Sequence, residues 1–195
     1  IDSIFLRNNI FAGLKNGYSI FTDYDNLEPK FESDFNNWYD ETLTGYWNAE
    51  ITWQDYLDKG FEEHSIYSDP LFIDPVSNNF ELDLDSECIE GGDYLSHAVG
   101  SGSGTTIEAG NSLYFSDGFG LIQGDTIIIG SNDPVNITGI DYANHQIEID
   151  RSISWNDNDP ITYKYIGNKP DIGAKISTNQ FSNIKYEDQR YQFVK

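Results

Sequence analysis

Short runs of strand-forming residues, separated at close spacing by turn residues, constrain this chain more than any other feature. Between residues 112 and 165 each run is followed by turn-forming Asn, Asp, Gly or Pro residues. The runs cover residues 112–115, 121–122, 126–129, 135–138, 146–149 and 161–165. β-Branched and aromatic residues favour strands, and each run is too short for a stable helix. The pattern predicts an all-β fold, with a small antiparallel β-sandwich or barrel in this part of the chain.

The segment from Ile4 to Gly13 is different, because two adjacent asparagines, Asn8 and Asn9, lie at the centre of a short β-rich run. In a parallel β-helix each coil buries inward-facing aliphatic side chains, and asparagines at the same turn of successive coils stack and hydrogen-bond through their amides. One coil cannot bury its faces alone, so the segment predicts further coils before Ile4. An isolated strand and turn of another all-β fold is the alternative.

The charge balance excludes several classes of partner. The chain has 11 Lys and Arg against 33 Asp and Glu, a formal net charge of -22. A field of that sign repels phosphate backbones and anionic headgroups, so we expect neither nucleic acid nor a membrane surface as a partner. No run approaches the ~18 apolar residues that a membrane-spanning helix needs, so we expect no membrane insertion. The single cysteine, Cys88, is expected to be a buried thiol and does not indicate a compartment.

Residues 18–65 are rich in aromatic and acidic side chains and show little regular alternation. Within them Trp53, Tyr56, Leu57 and Phe61 recur at spacings of three and four residues, which predicts a short helix that ends near Gly60. We interpret the whole stretch as an elaborated connection that packs aromatic rings over the side or end of the stacked coils.

Proline and glycine signals suggest the boundaries of three units. Asp-Pro steps at residues 69–70 and 74–75 delimit a short strand, and residues 80–82 alternate as another. Residues 96–106 lack large side chains, a composition typical of a flexible connector. We therefore predict that residues 1–97 form the C-terminal coils and cap of a parallel β-helix. Residues 98–167 are then a small all-β accessory module, and residues 168–195 a return segment that closes onto the β-helix.

Five short motifs, taken in order, carry a family resemblance. They are Asn8-Asn9-Ile10-Phe11, Tyr24-Asp25-Asn26-Leu27, Ser68-Asp69-Pro70-Leu71-Phe72, Phe80-Glu81-Leu82 and Pro170-Asp171-Ile172-Gly173-Ala174. Together they resemble the C-terminal portion of bacterial right-handed parallel β-helix repeat proteins, which include polysaccharide lyases, glycoside hydrolases and cell-surface proteins. The resemblance covers most of residues 4–95 and 168–176, and residues 115–167 are similar to an accessory β-module inserted near the end of such proteins.

The resemblance implies terminal coils of a right-handed parallel β-helix and a secreted or cell-surface location. It also implies a polysaccharide or cell-surface glycan as partner, together with upstream coils of the same protein. The sequence departs from the family's usual closing turn at residues 86–91, where proline commonly follows serine and aspartate commonly precedes glycine.

No catalytic constellation is evident in the chain. The resemblance would imply a proton-abstracting base in a lyase, or paired carboxylates around one sugar ring in a hydrolase. The three arginines are dispersed, and Arg7 is the one base to consider for a groove wall. Acidic pairs such as Asp23 with Asp25 arise readily among so many carboxylates, and the three histidines lack metal-ligand spacing. We therefore assign no catalytic residue, and it stays open whether the parent protein is a lyase or hydrolase.

Two groups of residues are candidates for ligand contact. Flat aromatic rings can stack on the faces of sugars, and the candidates are Trp38, Tyr39, Tyr46, Trp47 and Trp53. Capping the end of the coil stack is the favoured role for these rings. The candidates for Ca²⁺ ligation are Asp23, Asp25, Asp157 and Asp159, with ordinary turn formation as the favoured explanation. No other cofactor is expected.

These observations favour a non-catalytic C-terminal region of an extracellular β-helix protein, with a structural and carbohydrate-contacting role. Part of a polysaccharide lyase or glycoside hydrolase is one alternative. A cell-surface adhesin or filament subunit, assembling through coil ends or strand edges, is another.

Overall fold

A computed structural model describes residues 4–13, 20–22, 31–39, 44–47 and 50–173 of the chain. Within these ranges the regular structure is almost entirely strand, which confirms the predicted all-β fold. In chain order the elements are β1 (Ile4–Arg7), β2 (Ile10–Ala12), β3 (Ile20–Thr22), β4 (Phe31–Asp34), β5 (Asn37–Tyr39), β6 (Thr44–Trp47), β7 (Glu50–Thr52), α1 (Trp53–Asp58), β8 (Phe72–Asp74), β9 (Asn79–Leu82), β10 (Ser96–His97), β11 (Gly102–Glu108), β12 (Thr126–Ile129), β13 (Val135–Asp141), β14 (Gln146–Trp155) and β15 (Pro160–Tyr163).

The first strands pair in parallel and in continuous register. β1 pairs with β4, β2 with β5 and β3 with β6. A parallel bridge from Asn37 to Ile66 adds a third passage of the chain beside the first two. The stretch that we interpreted as a connection therefore contains strands that belong to this stack. Here the weak alternation of the sequence was misleading, because inward and outward residues are interrupted by turns every few positions.

Polar side chains form a ladder across the three passages. The Asn36 side chain is fully buried, and its Oδ1 accepts hydrogen bonds from the backbone N–H and the Nδ2 of Asn9, each at 3.0 Å. The Oγ of Ser65 accepts a hydrogen bond from the Asn36 backbone N–H at 2.8 Å. These positions lie 27 and 29 residues apart in the sequence. The amide-to-amide bond between successive passages, predicted from the asparagine pair, is present.

Aromatic side chains fill the space enclosed by the parallel strands. Phe31 and Trp38 are buried, and the ring of Trp38 stacks on Phe11 with 4.0 Å between centroids. Tyr56 and Phe61 pack against the same cluster from beyond the third strand pair. One end of the cluster is thereby covered by α1 and the turn that follows it.

The short helix α1 confirms the periodicity seen at residues 53–61. It begins after Thr52, whose side chain accepts a hydrogen bond from the Asp55 backbone N–H, while the Asp55 carboxylate accepts one from the Thr52 N–H. This reciprocal pair satisfies donors that the first turn of a helix otherwise leaves open. Gly60 follows the helix with φ +83°, a conformation that glycine adopts at little cost.

Strands β8 and β9 lie where the Asp-Pro steps and the alternation at residues 80–82 predicted them, but they do not stack as coils. They pair antiparallel, with Phe72 opposite Leu82. A 3₁₀ turn at Pro75–Ser77 and the left-handed residue Asn78, at φ 61°, reverse the chain between them. The expectation that the coil stack continues to Leu82 was therefore wrong at this hairpin, because its short turn brings the two strands back on each other.

The second half of the chain forms a curled antiparallel sheet of six strands, in the order β10-β15-β12-β13-β14-β11. A bridge between Ala98 and Ala109 joins its first and last members, so the pairing runs round a barrel-like unit. Alternate residues of the strands point inward and form one core, which includes Ile127, Ile147 and Ile161, all fully buried. The predicted small antiparallel module is present in this form.

Three local predictions in this half were wrong. The glycine- and serine-rich segment is not a connector, since Gly102–Glu108 is strand β11, paired with β14. Gly102 lies directly against the Trp155 ring, where a Cβ atom would come within 2.6 Å of Cζ2. Small residues here allow close packing. Residues 112–115 and 121–122 form turns and bends instead of strands, because their chain leaves the sheet between β11 and β12.

After the sheet, the chain returns to the stacked parallel strands. The Ile172 N–H donates to the Cys88 carbonyl and the Gly173 N–H to the Asn8 carbonyl, each at 2.8 Å. The Ile172 side chain is fully buried with Leu82 and Cys88. Residues 168–173 therefore pack against the first coil and the β8–β9 region. The remainder of the predicted return segment, from residue 174 onward, lies outside the described residues.

Candidate functional site: a cleft between the coils and the curled sheet

A cleft of about 590 Å³ separates the stacked parallel strands β1 to β6, called the coil half below, from the curled sheet. Its size falls within the roughly 300–1,000 Å³ of pockets that take small ligands. One wall is formed by Phe5, Arg7 and Glu32 of β1 and β4, and the other by residues 110–114 with His97 and His145. Because Ile4 and Leu6 face the coil interior, alternation places Phe5 and Arg7 on the outer face of the strand.

Arg7 is held in place by several partners. Its Nη1 donates to the Asp93 carboxylate at 3.2 Å and to the Tyr94 carbonyl at 3.1 Å. Its guanidinium also lies over the Phe35 ring, 5.2 Å from the centroid. The ion pair is partly exposed, with side-chain exposures of 25% and 29%. The one base that the sequence suggested for a groove wall is thus engaged in a structural contact between the two halves.

Phe5 and Tyr114 form the aromatic part of the cleft. Their ring centroids are 5.6 Å apart and the rings are tilted by 59°. Burial raises the pKa of the Tyr114 phenol, and the charge and hydrogen bond of Arg7 only partly oppose this shift. The phenol therefore stays protonated at neutral pH and can donate a hydrogen bond. Leu113 extends the apolar surface, with 46% of its area exposed.

His145 and His97 are positioned from the side of the sheet. The Ser112 backbone N–H donates to His145 Nδ1 at 3.2 Å. Since that nitrogen accepts, a neutral His145 ring carries its proton on Nε2, where it can serve as a donor. The His97 ring lies against Gly110, where a Cβ atom would be 2.4 Å from Cε1. Glycine at residue 110 is therefore required for this placement of His97.

Several polar groups of the cleft are not engaged within the part of the chain that the structure describes. The Glu32 carboxylate, the His97 ring and the Asn111 Nδ2 have no hydrogen-bond partner there, although Asn111 Oδ1 accepts from the Leu113 N–H at 2.9 Å. With Arg7 paired to Asp93, Glu32 leaves the cleft with one unbalanced negative charge. The cleft thus combines aromatic surface with uncommitted donors and acceptors.

The aromatic residues predicted to contact sugar do not gather at this cleft. Trp38 is 1% exposed and stacks on Phe11, so neither face of its ring is open to solvent. Tyr39, at the end of β5, is 44% exposed. The side chains of Tyr46, Trp47 and Trp53 lie outside the described residues.

The acidic residues suggested for calcium accept backbone hydrogen bonds where they are described. Asp159 Oδ2 accepts from the Asn156 N–H at 2.8 Å within one turn, and Asp157 Oδ1 accepts from the Gly100 N–H at 2.7 Å in another loop. Asp23 and Asp25 lie outside the described residues. Among the residues that are described, no group of three or more His, Cys, Asp or Glu side chains could hold a metal ion.

The single cysteine is buried, as predicted. Cys88 is fully buried, and its Sγ accepts a hydrogen bond from Asn37 Nδ2 at 2.9 Å. Burial raises the pKa of the thiol, and the hydrogen bonds from Asn37 and Ser86 only partly oppose the shift. A protonated, enclosed thiol is a poor nucleophile, so Cys88 contributes to packing.

No family model, curated protein or solved structure matched the chain in the three comparisons. Over the described ranges, the structure contains no helix with the length and apolar character needed to cross a membrane.

The cleft residues were missed by sequence reasoning because they come from distant parts of the chain. Arg7 and Asp93, for example, are 86 residues apart. The one available signal was Phe5, an aromatic residue that alternates with two inward-facing aliphatic residues in β1 and therefore occupies the outer face.

Proposed function

We propose that the chain is the non-catalytic closing end of an extracellular right-handed parallel β-helix protein, and that this end contacts carbohydrate. The observation that carries the proposal is the stack of three parallel passages at residues 4–12, 31–39 and 66, joined by the Asn9–Asn36–Ser65 ladder. Parallel passages at a nearly constant sequence interval, with like side chains bonded in a column, are typical of coil-type repeat architectures.

The burial of the first passage supports further coils before Ile4. Among the described strands, β1 pairs on one side only. Ile4 and Leu6 are half-buried, whereas Phe31, which lies beside Ile4 in the next passage, is only 3% exposed. A further coil over β1 would pair its open edge and bury these side chains.

The other end of the stack supports a closing role. Tyr56 of α1 is fully buried against the coil interior, and Phe61 packs beside it with its ring 4.9 Å from Phe31. Covering the last hydrophobic layer is what a terminal repeat must do to stay soluble. The burial of Tyr56 and the packing of Phe61 support a capping role for these two rings.

The two halves are tied together at the first coil. Asn8 Nδ2 donates to the Asp93 carbonyl at 2.7 Å, and the Asp93 N–H donates to Asn8 Oδ1 at 2.9 Å. Together with the Arg7–Asp93 ion pair, these bonds hold the segment that leads into β10 against the first passage. The extracellular location and the glycan partner rest on the family resemblance.

A designed disulfide tests the stacked register. Phe5 and Glu32 are direct partners in β1 and β4, and adjacent strands ~4.8 Å apart fall within the ~4.4–6.8 Å between Cα atoms that a disulfide needs. We expect the Phe5→Cys/Glu32→Cys variant to oxidise readily and to resist urea. The matched pair Phe5→Cys/Asp34→Cys is displaced by two residues and should stay reduced. Equal oxidation of both pairs would contradict the parallel register.

Activity measurements separate the proposal from its alternatives. Absorbance of an unsaturated product from a uronic-acid polymer would indicate a lyase, and release of reducing sugar would indicate a hydrolase. Ordered assembly in sedimentation would indicate an adhesin or filament subunit. We expect no lyase activity from the chain itself, because Arg7, the one base considered for a groove wall, is bound to Asp93.

A further inference from the structure

We propose that the cleft between β1 and residues 110–114 is a binding site for an uncharged oligosaccharide. The inference rests on the proposed function only for the general idea of carbohydrate contact. It places that contact on Phe5, Glu32, Leu113 and Tyr114, away from the aromatic cluster at residues 38–53.

The chemistry of the lining suits a polyhydroxylated ligand. A sugar ring has an apolar face and a rim of hydroxyl groups, so its site needs aromatic or aliphatic surface next to donors and acceptors. Phe5 and Tyr114 supply the rings, and Leu113 adds exposed aliphatic surface. The Glu32 carboxylate can accept hydrogen bonds, and the Asn111 Nδ2 can donate one.

The charge of the site favours an uncharged ligand over an acidic one. Among the described residues that line the cleft, Arg7 carries the one guanidinium, and it is already paired with Asp93. Glu32 is left unbalanced in a chain whose formal net charge is -22. A uronate carboxylate would enter a field of its own sign with no unpaired guanidinium or ammonium group from these residues to meet it, whereas hydroxyl groups would not pay that electrostatic penalty.

The wall on the sheet side is held in place before any ligand arrives. The single proton of the Tyr163 hydroxyl lies within reach of two acceptors, Asp125 Oδ2 at 2.8 Å and the Tyr114 carbonyl at 3.1 Å. Ser112, fully buried, is bonded through its backbone N–H to the His145 ring. A lining that is already ordered loses little conformational entropy when a ligand binds.

Titration calorimetry with defined hexasaccharides tests the inference. The probes are cellohexaose, xylohexaose and mannohexaose as uncharged sugars, and hexagalacturonate as the acidic one. We expect saturable binding of at least one uncharged probe and at least tenfold weaker binding of hexagalacturonate. Leu113→Ala and Glu32→Ala should each weaken the uncharged probe by about tenfold, the loss expected from one apolar contact or one hydrogen bond to a charged group.

Phe119→Ala provides the matched control. Phe119 is an exposed aromatic residue of the same half, 71% exposed and outside the cleft. Its removal should leave the affinity unchanged. Leu113 and Glu32 are both exposed, so their variants should keep the near-ultraviolet circular dichroism of the parent chain.

Three results would overturn the inference: no binding of any uncharged probe, tighter binding of hexagalacturonate, or affinity that is insensitive to the two cleft variants. None of these would alter the register of β1 and β4, which the disulfide pair measures separately. Conversely, the disulfide experiment could contradict the β1–β4 register while binding still depends on the cleft residues. That result would refute the stack of coils but not the binding site.

Discussion

Replacement of Asn36 by alanine is the most direct test of what stabilises the coil half. The Asn36 side chain is fully buried and can make four hydrogen bonds. Its Oδ1 accepts two from Asn9, and the two protons of Nδ2 are shared among the Leu6 carbonyl at 3.2 Å, Ser33 Oγ at 3.3 Å and Glu62 Oε2 at 3.1 Å. One side chain therefore joins all three passages of the stack.

The size of the effect follows from these contacts. A net contribution of ~1 kcal/mol for each intramolecular hydrogen bond gives about 4 kcal/mol for four bonds. Partial relaxation and entry of water reduce the expected loss to about 3 kcal/mol at the lower end. Glu62 makes the substitution more costly, since its carboxylate is 1% exposed and would keep only the hydroxyl groups of Ser33 and Ser65. Against a typical stability of ~5–15 kcal/mol, this is a large fraction.

Urea unfolding followed by tryptophan fluorescence measures the loss, because Trp38 lies in the core of the same stack. The control is Asn144→Ala. Asn144 is exposed, and among the described residues its side chain bonds to Asp141 Oδ2 alone, at 2.8 Å. We expect the control to change the free energy of unfolding by less than ~1 kcal/mol. Equal, small losses in the two variants would refute the reasoning that the buried ladder stabilises the stack.

Two further predictions concern Gly102 in the curled sheet and the pair formed by His64 and Asp34. Gly102→Ala should lower the free energy of unfolding by ~1–3 kcal/mol, because the new Cβ would overlap the Trp155 ring. The control Ser103→Ala, on the exposed face of the same strand, should have little effect in the same urea experiment. Equal losses in the two variants would contradict the packing argument. The hydrogen bond to Asp34 raises the pKa of His64 above 6.5. The contribution of protonated His64 to the stability of the fold is therefore complete below pH 6.5, and it is lost as the pH rises through the folded-state pKa. NMR titration of His64 should show the raised pKa, and Asp34→Asn should return it toward the ordinary value; an unchanged titration in that variant would exclude Asp34 as the cause.

Several elements could be predicted because their signals are local. The helix α1 followed from apolar spacing and a terminating glycine, and the short strands β12 to β14 followed from β-branched runs between turns. The sequence predicted that the Asn9 side chain would form a hydrogen bond with another amide, since a buried polar side chain must find a partner. It did not predict that this partner would be Asn36, 27 residues away.

Other elements could not be predicted because their surroundings override the local signal. Gly102–Glu108 has the composition of a linker, yet it is a strand because Trp155 of β14 fills the space that side chains would occupy. Trp38 looked like an exposed sugar platform, but the stacked Phe11 and the coil interior enclose it. Glu62 gave no sign of being a buried carboxylate, because two of the groups that bond to it, the Ser33 hydroxyl and the Asn36 amide, come from another passage of the chain.

By itself, the sequence determined the class of the fold, the polar and apolar faces of the short strands, the helix at Trp53 and the acidic field that disfavours anionic partners. Only the tertiary structure decided which strands pair, in which direction, and which side chains line the cleft. The physical reason is that alternation and turn chemistry act within a few residues. Burial and hydrogen-bond partners, by contrast, depend on contacts such as Arg7 with Asp93, which exist only once the coils and the sheet have come together.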